Sequence, residues 1–383
     1  MNIPPTLSFF ALLVFLSLGL TPQARAQTAK PLQNSLQEKR ESEIASRFAP
    51  VFHQALGENR RADYITNFDF DGDWRGDNNW AHTNDASFPM KAYVYYSLVE
   101  TETHYFIHYA VFHGRDYKGG ERKGAILSEL MREGAKRAGK YDPTGIAEES
   151  ALAHENDMEG CLVVVAKTEG EPGEVVFLET LRHNTITKYS LESRKDSETL
   201  RLKDGRPLLY IEPKGHGVLA LTNDNQTANR DLLIYECTGR AEDPERIEAT
   251  TIGYKLLPIR TTLWARARDG VSTTYGQTQD FGEVTIRLAK ADHQENELKV
   301  ELNQIGVAFV GKVGGLNMAR PPWGWFDRSR REQTLGVWFF DPASTIKRDF
   351  RLPESFSIAY LHRPFWAEGG KILTEKSERT GKR

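Results

Sequence analysis

The sequence predicts a mainly β protein, specifically a β-sandwich with a few peripheral helices. Short aromatic and β-branched runs recur along the chain, and clusters of glycine, proline, aspartate and asparagine separate them. Two of these runs, residues 93–99 and 104–112, are joined by only four residues, which is typical of a β-hairpin. Because many strands accompany few helices, two packed sheets are the expected architecture.

Other runs with strand character are distributed over the rest of the chain. They are 162–166, 175–179, 208–212, 218–221, 232–235, 284–288, 298–302 and 334–340. Helical spacing of apolar residues predicts a short helix over 36–48 and a second over 124–139. The second helix is inserted between candidate site residues, so either a lid or a peripheral packing helix fits it.

The N-terminus has the pattern of a secretory signal peptide. Residues 7–20 are almost entirely apolar, and Ala24, Arg25 and Ala26 form a small-residue cleavage motif. This apolar run is shorter than the roughly 20 residues that a membrane-spanning helix needs. We therefore predict cleavage near Ala26 and export to the periplasm or the extracellular space, with no transmembrane segment in the mature chain.

The remaining chain is predicted to form one domain. The predicted divisions are the signal peptide 1–26, a polar segment with the N-terminal helix at 27–47, a single β-sandwich domain at 48–367 with a helical insertion at 118–150, and a flexible tail at 368–383. The full chain has 50 basic and 53 acidic residues, a net charge of −3; removing Arg25 with the signal peptide gives −4. This balance argues against a nucleic-acid partner, which usually requires a basic surface.

Three potential metal ligands, His154, Asp157 and Glu159, fall within six residues directly before the apolar run 161–166. On a strand Asp157 and Glu159 point to one face, and His154 joins them only if the chain turns before the strand. Carboxylate oxygens with one imidazole suit Mg²⁺ or Ca²⁺ first, and Mn²⁺ or Zn²⁺ as well. The alternative is an acidic strand end that faces water.

A second acidic stretch alternates short carboxylates around a glycine. Its candidate ligands are Asp69, Asp71, Asp73 and Asp77. Such spacing lets one loop wrap a hard cation, although Trp74 and Trp80 stand where an EF-hand loop needs glycine and glutamate. A stand-alone Ca²⁺ loop and an ordinary polar turn both fit the pattern.

Histidines and cysteines supply the other candidates. His216 lies between two glycines and is sterically open to a ligand, whereas His113 follows the strand 104–112. Cys161 and Cys237 each border an apolar strand, so an exported chain could join them by a disulfide or keep two buried thiols. The sequence has no phosphate-binding glycine loop, no nucleophile elbow and no H-E-x-x-H motif.

Taken in order, these motifs resemble a superfamily that joins the necrosis- and ethylene-inducing-peptide-like proteins to the vacuolar protein sorting-associated protein 62 family. Those families carry G-H-R-H-D-W-E and H-E-G-D-W-E motifs, and residues 154–159 read H-E-N-D-M-E. The aromatic strand that ends at Asp116, the strand that leads to His216, and the segments 321–327 and 336–342 are similar as well. The resemblance covers roughly 48–345.

The resemblance implies a β-sandwich with a divalent cation at one end. Asp116, His154, Asp157 and Glu159 would hold the cation, with His216 nearby. In the toxins such a cation engages the sugar headgroup of a membrane lipid through water. This chain is much longer than those toxins, and the resemblance does not extend to cytolytic activity.

Three functions remain open from the sequence. The first is cation-dependent binding of a polar ligand such as a glycan or lipid headgroup, where Trp323 and Trp325 would stack on a sugar or pack in the core. The second is metal-dependent hydrolysis of phosphoesters or glycans, with His216, His113 or Glu155 as acid–base candidates. In the third, the ion only stabilises the fold.

Overall fold

The computed structural model describes residues 22–118, 126, 130, 153–223, 226–228, 230–270, 272–289, 295–313, 319–330, 333–365 and 371–373. The chain divides into two compact units, residues 1–41 and 42–383. The predicted helix 124–139 lies outside the described residues except for Ile126 and Leu130, which are both helical. In the part of the chain that is described, no helix is long and apolar enough to span a membrane.

The predicted mainly β fold is confirmed. The strands are β1 (Val51–Ala55), β2 (Tyr93–Thr101), β3 (His104–Asp116), β4 (His154–Thr168), β5 (Glu171–Arg182), β6 (Thr185–Ser190), β7 (Glu198–Thr199), β8 (Leu202–Lys203), β9 (Arg206–Ile211), β10 (Val218–Ala220), β11 (Leu232–Cys237), β12 (Thr251–Pro258), β13 (Tyr275–Gln279), β14 (Gly282–Ala289), β15 (Glu295–Leu302), β16 (Ile305–Phe309), β17 (Tyr360–His362) and β18 (Lys371–Leu373). The helices are α1 (Pro22–Arg47), α2 (Asn79–His82), α3 (Leu263–Arg268), α4 (Val337–Phe340) and α5 (Pro342–Asp349).

One long strand path forms the curled sheet that carries the site. Its order is β10-β9-β1-β11-β12-β2-β3-β4-β5-β6-β7. Strand β12 joins its two halves, because the first half of β12 pairs with β11 and the second half pairs with β2. Buried residues from both halves belong to one apolar cluster, which includes Phe52, Tyr109, Val163 and Tyr254.

The predicted hairpin at 93–112 is confirmed as β2 and β3, and it continues into β4. Strands β3 and β4 pair antiparallel over their whole length, from His104 opposite Ala166 to Asp116 opposite His154. This register places two predicted ligands, 38 positions apart in the sequence, side by side at one sheet end. Packing of the β-branched run in β4 fixes the register, since a slip by one residue would turn its buried side chains outward.

Three predicted elements differ from the structure. The helix predicted at 36–48 is the end of the longer helix α1, because the preceding residues contain several alanines and glutamines, which are also good helix formers. The strand predicted at 334–340 contains helix α4, which follows Gly336 at φ +77° and buries three aromatic side chains. The tail predicted as flexible contains β18, which pairs with β15.

Candidate functional site

The four predicted metal ligands line one small pocket at the ends of β3, β4 and β5. Its lining comprises Asp116, Lys118, His154, Asp157, Met158, Glu159, Leu181, His183, Asn184, Ala319, Arg320 and Trp325. The cavity volume is about 30 Å³. A space of this size admits an ion with one or two water molecules but cannot enclose a sugar ring.

Asp116 and His154 meet across the β3–β4 pair. His154 Nε2 lies 3.5 Å from Asp116 Oδ2. His154 Nδ1 lies 2.7 Å from the carbonyl oxygen of Asn156, to which it can donate its hydrogen. In the neutral ring this bond leaves the lone pair on Nε2, which faces the carboxylate. A metal-ligating histidine is usually oriented by such a bond from its other ring nitrogen.

The backbone at Asn156 makes the turn that the sequence required for His154 to join the carboxylates. Asn156 has φ +61°, a left-handed conformation that asparagine tolerates better than most residues. Its buried side chain donates to the carbonyl oxygens of Gly76 and Val310, at 2.9 Å each. These bonds hold the turn against two loops.

Asp157 lies between the pocket and a buried histidine. Its Oδ2 accepts a hydrogen bond from His216 Nδ1 at 2.9 Å, and His216 Nε2 lies 3.2 Å from Asp63 Oδ1. Burial by itself would lower the pKa of His216, but the hydrogen bonds to Asp157 and Asp63 raise it to about 9. Asp157 also lines the pocket, so its side chain joins the pocket to the buried histidine.

Glu159 is held by the backbone. Its Oε1 accepts from the amide of His183 at 2.8 Å, and its Oε2 accepts from the amide of Val218 at 3.3 Å. Since both oxygens already accept hydrogen bonds, Glu159 contributes negative charge to the pocket more than an open ligand position. It also fixes the β5–β6 turn beside β4.

His183, which the sequence analysis did not select, bridges two carboxylates. Its Nε2 lies 2.9 Å from Glu212 Oε2, and its Nδ1 lies 3.4 Å from Glu159 Oε1. Burial would lower the pKa of His183, but these hydrogen bonds raise it to about 9. His183 and Asn184, both at positive φ, form the two-residue turn between β5 and β6. This turn was the feature of the sequence that could have pointed to His183. The β4–β5 pairing then brings the turn close to the ligands on β4.

Lys118 supplies a positive charge inside the pocket. Its Nζ lies 3.0 Å from Asp116 Oδ2 and 2.9 Å from His183 Nδ1. Burial opposes the charged form, yet the carboxylates of Asp116, Asp157 and Glu159 raise the pKa of Lys118. Glu159 favours the charged form of both Lys118 and His183, whereas the positive charge of Lys118 lowers the pKa of His183.

The acid–base candidates of the hydrolase hypothesis do not line this pocket. His216 and His113 are fully buried and stack with ring centroids 3.8 Å apart. The pKa of His113 is lowered by burial and by the neighbouring His216. The carboxylate of Glu155 accepts hydrogen bonds from the backbone amides of Trp80 and Lys312, so it fastens two loops. None of the three reaches a reacting group in the pocket.

The carboxylates of the acidic loop at 69–77 make local hydrogen bonds, and the cation site there stays a prediction. Asp71 lies 2.5 Å from His82 Nδ1, and Asp69 accepts from the side-chain amide of Asn67. Asp73 accepts from the amide of Arg75, whose guanidinium pairs with Asp77. Each carboxylate thus has a separate partner, which is the pattern of a polar turn.

Cys161 and Cys237 are free thiols in the structure. Cys161 is fully buried in β4, where it pairs opposite Tyr109, whereas Cys237 is half-buried at the end of β11. Burial raises the pKa of both thiols. Burial raises the pKa of the Tyr109 hydroxyl, and the neighbouring Cys161 and Cys237 raise it further. The structure has two separate thiols, and a disulfide between them stays a prediction.

Trp323 and Trp325 pack in the core. Trp323 Nε1 donates to the carbonyl oxygen of Gly306 at 2.6 Å. Trp325 Nε1 donates to the carbonyl oxygens of Arg320 and Met158 at 2.8 and 3.0 Å. Both side chains are almost completely buried, which confirms core packing over the exposed stacking platform.

The donor groups of the pocket are of the types that bind divalent cations. Within the described ranges, no three His, Cys, Asp or Glu side chains converge closely enough to hold a metal ion as they stand. By chemical type, the carboxylates of Asp116 and Asp157 and the imidazole of His154 nevertheless suit a divalent cation. The ammonium of Lys118 supplies the cationic charge that these groups require.

Comparison with solved structures returns partial matches. One is described as a toxin fold for microbial attack and plant defense (12% identity, 56% of this chain and 72% of that chain, TM-score 0.29). Another is Necrosis and Ethylene inducing Protein 2 from the causal agent of cocoa's witches' broom disease (13%, 59% and 77%, 0.29). A third is NLPPya in complex with mannosamine (14%, 47% and 66%, 0.25). These neighbours are necrosis- and ethylene-inducing proteins.

The neighbours found by structure belong to the superfamily that the ordered motifs resemble. The sequence matches no protein-family model and no curated protein. This chain spans slightly less than two thirds of the length of the mannosamine-bound neighbour. At these identities and TM-scores, the likeness transfers neither a ligand nor an activity to this chain.

Proposed function

We propose that this chain is an exported binding protein that recognises a polar ligand, such as a glycan or lipid headgroup, through a divalent cation. Asp116, His154 and Asp157 would hold the cation, and Glu159 would add negative charge. The cation would supply positive charge and accept ligand hydroxyl groups at the mouth of a cavity too small for a sugar ring. The observation that carries the proposal is the oriented Nε2 of His154 facing Asp116.

Binding of the cation is expected to depend on Asp157. Asp157→Asn should weaken the binding of Ca²⁺, Mg²⁺, Mn²⁺ or Zn²⁺ at least about 100-fold, because loss of even an outer partner of a metal site costs 10–100-fold. Isothermal titration of the chelator-treated protein measures this. Asp204→Asn is the matched control. It makes the same substitution at an exposed carboxylate that is not among the lining residues of the pocket. Equal binding by Asp157→Asn and wild type would contradict the site.

The same titration tests the role of Lys118. Lys118→Gln removes a positive charge that lies 3.0 Å from Asp116, so the variant should bind the cation at least about tenfold more tightly. Weaker binding would mean that Lys118 supports the cation site.

Titration of glucosamine and mannosamine into the protein, with and without the cation, separates ligand recognition from a purely structural ion. Binding of a sugar only when the cation is present would support ligand recognition.

We also infer that the mature protein begins at Gln27. The expected cleavage point follows Ala26, which lies within helix α1. Expression in a host with a secretory pathway should yield an exported protein whose amino-terminal sequence starts at Gln27. An exported protein that still begins at Met1 would contradict the inference, and replacement of Ala24 and Ala26 by bulky residues is the control that should block processing.

A further inference from the structure

A second polar cavity, separate from the candidate cation pocket, is dominated by basic side chains. Its volume is about 540 Å³. The cavity lies between β6, the turn after Trp325 and the end of α5, and none of its described lining residues also lines the cation pocket. We name it the basic pocket and define it by Lys188, Arg330, Arg348, Arg351, Asp349 and Thr334.

Two guanidinium groups in the basic pocket are held by one carboxylate. Arg330 pairs with Asp349 Oδ2, and Arg348 Nε donates to Asp349 Oδ1 at 2.9 Å. With its amide oriented to satisfy both neighbours, the Gln333 oxygen accepts from Arg330 and Arg348 at 3.3 and 2.9 Å. The fork-shaped groups are therefore positioned before any ligand arrives, which lowers the entropic cost of binding.

The remaining cations add donors around the same space. Lys188 Nζ donates to the carbonyl oxygen of Asp349 at 3.1 Å, which uses one of its three hydrogens. Arg351 pairs only with the exposed carboxylate of Asp196 among the described residues, and its side chain is 83% exposed. The Thr334 hydroxyl lies in the same wall.

The charge on the wall of the basic pocket is unbalanced. Among the described lining residues, four basic side chains face one carboxylate, Asp349, which gives a net charge of +3. Asp327 behind Arg330 and Asp196 beside Arg351 reduce the excess to +1 but do not line the cavity. This excess stands out in a chain whose overall net charge is −3.

Cations at the end of α5 also complement the negative end of that helix. This explains the Lys188 bond to a helix carbonyl, but it does not account for a concave group of three arginines and one lysine. Planar guanidinium groups bind tetrahedral oxyanions through paired hydrogen bonds, and a lysine adds a point charge. The chemistry therefore matches a phosphate or sulfate group.

We propose that the basic pocket binds a phosphate or sulfate group carried by a ligand of this protein. Lys188 is four residues after Asn184, which lines the cation pocket, so the two pockets are about 13 Å apart along β6. The two pockets can be tested separately because they share none of their described lining residues.

Inorganic phosphate and inorganic sulfate are the probes, titrated into the mature protein at constant ionic strength with chloride as the reference and a chelator present. Both should raise the unfolding temperature more than chloride does. Arg348→Gln should weaken the apparent affinity about tenfold, because a charge-assisted hydrogen bond is lost. Lys347→Gln removes the same charge from α5 outside the pocket and should stay within twofold of wild type.

Lys188→Gln is a second test variant on another element, and circular dichroism verifies that each variant folds. Preference for phosphate or for sulfate identifies the source of the group, and either preference supports the pocket. Stabilisation that chloride reproduces, or equal weakening in Arg348→Gln and Lys347→Gln, would overturn the proposal. The chelator keeps this result independent of the cation pocket.

Discussion

Replacement of Asp63 by alanine is expected to lower the free energy of unfolding by about 3–5 kcal/mol, the cost of removing one partner from a buried charged network. Asp63 is fully buried. It accepts hydrogen bonds from the backbone amides of Gly57 at 2.6 Å and Lys214 at 2.8 Å. It also accepts from the Tyr117 hydroxyl at 2.7 Å and lies 3.2 Å from His216 Nε2.

Alanine would remove the acceptor that these four donors share, and the donor on His216 lies where the side chain is fully buried. The loss would be largest at His216, because Asp63 is one of the two carboxylates that hold its pKa near 9. For a domain whose total stability is about 5–15 kcal/mol, this is a large fraction. We therefore expect partial unfolding of Asp63→Ala at moderate urea concentrations.

Two further variants, measured in the same urea titrations at pH 7, give reference values for the loss in free energy of unfolding. Tyr117→Phe removes one donor and should cost about 1–2 kcal/mol. The cost of Asp63→Asn should lie between those of Asp63→Ala and Tyr117→Phe. Asparagine keeps one oxygen acceptor, but its amide nitrogen would face donors that now face a carboxylate oxygen. A cost for Asp63→Ala no greater than that for Tyr117→Phe would show that the network does not stabilise the fold.

The contrast between Asp157 and Asp63 shows how far the sequence can predict this site. The run from His154 to Glu159 was visible because its ligands are close together and precede an apolar strand. Asp116 required the resemblance, and the β3–β4 register then placed it opposite His154. Asp63 lies in a connecting segment with no periodicity, so only the folded chain brings it to His216.

The fold, like the site, has parts that local sequence predicts and parts that depend on contacts between distant residues. Hairpins are local, so β2 and β3 could be predicted from their aromatic and β-branched residues and the short connection between them. The segment at 337–340 is apolar and aromatic, which fits a strand and a buried helix equally well. Its helical state is decided by contacts distant in sequence, among them the hydrogen bond from His108 Nε2 to the carbonyl oxygen of Trp338. Sequence periodicity carries no information about such a contact.

Glu179 gives the second large expected effect, which depends on pH. This side chain in β5 is fully buried and accepts a hydrogen bond from Trp338 Nε1 at 2.6 Å. Burial, and secondly the Asp349 carboxylate, raise the pKa of Glu179 to about 8 from the usual 4.5. The folded state therefore keeps this proton at a pH where the unfolded state has lost it.

Because the folded state binds the additional proton between about pH 4.5 and pH 8, Glu179 lowers the free energy of unfolding as the pH rises through this window. The Glu179→Gln variant has no proton to lose, and its amide oxygen can still accept from Trp338. At pH 5 the variant and wild type should have similar stability. At pH 8.5 the variant should be more stable by an amount on the order of 4 kcal/mol.

The measurement is the difference in free energy of unfolding between Glu179→Gln and wild type from pH 5 to pH 8.5. Taking the difference removes the contributions of other titrating groups, which both proteins share. Glu174→Gln, an exposed position on the same strand, is the matched control and should show no change of that difference with pH. If the Glu179→Gln difference is constant across the window, Glu179 is ionised in the folded protein, and Arg330 must then balance its charge together with that of Asp349.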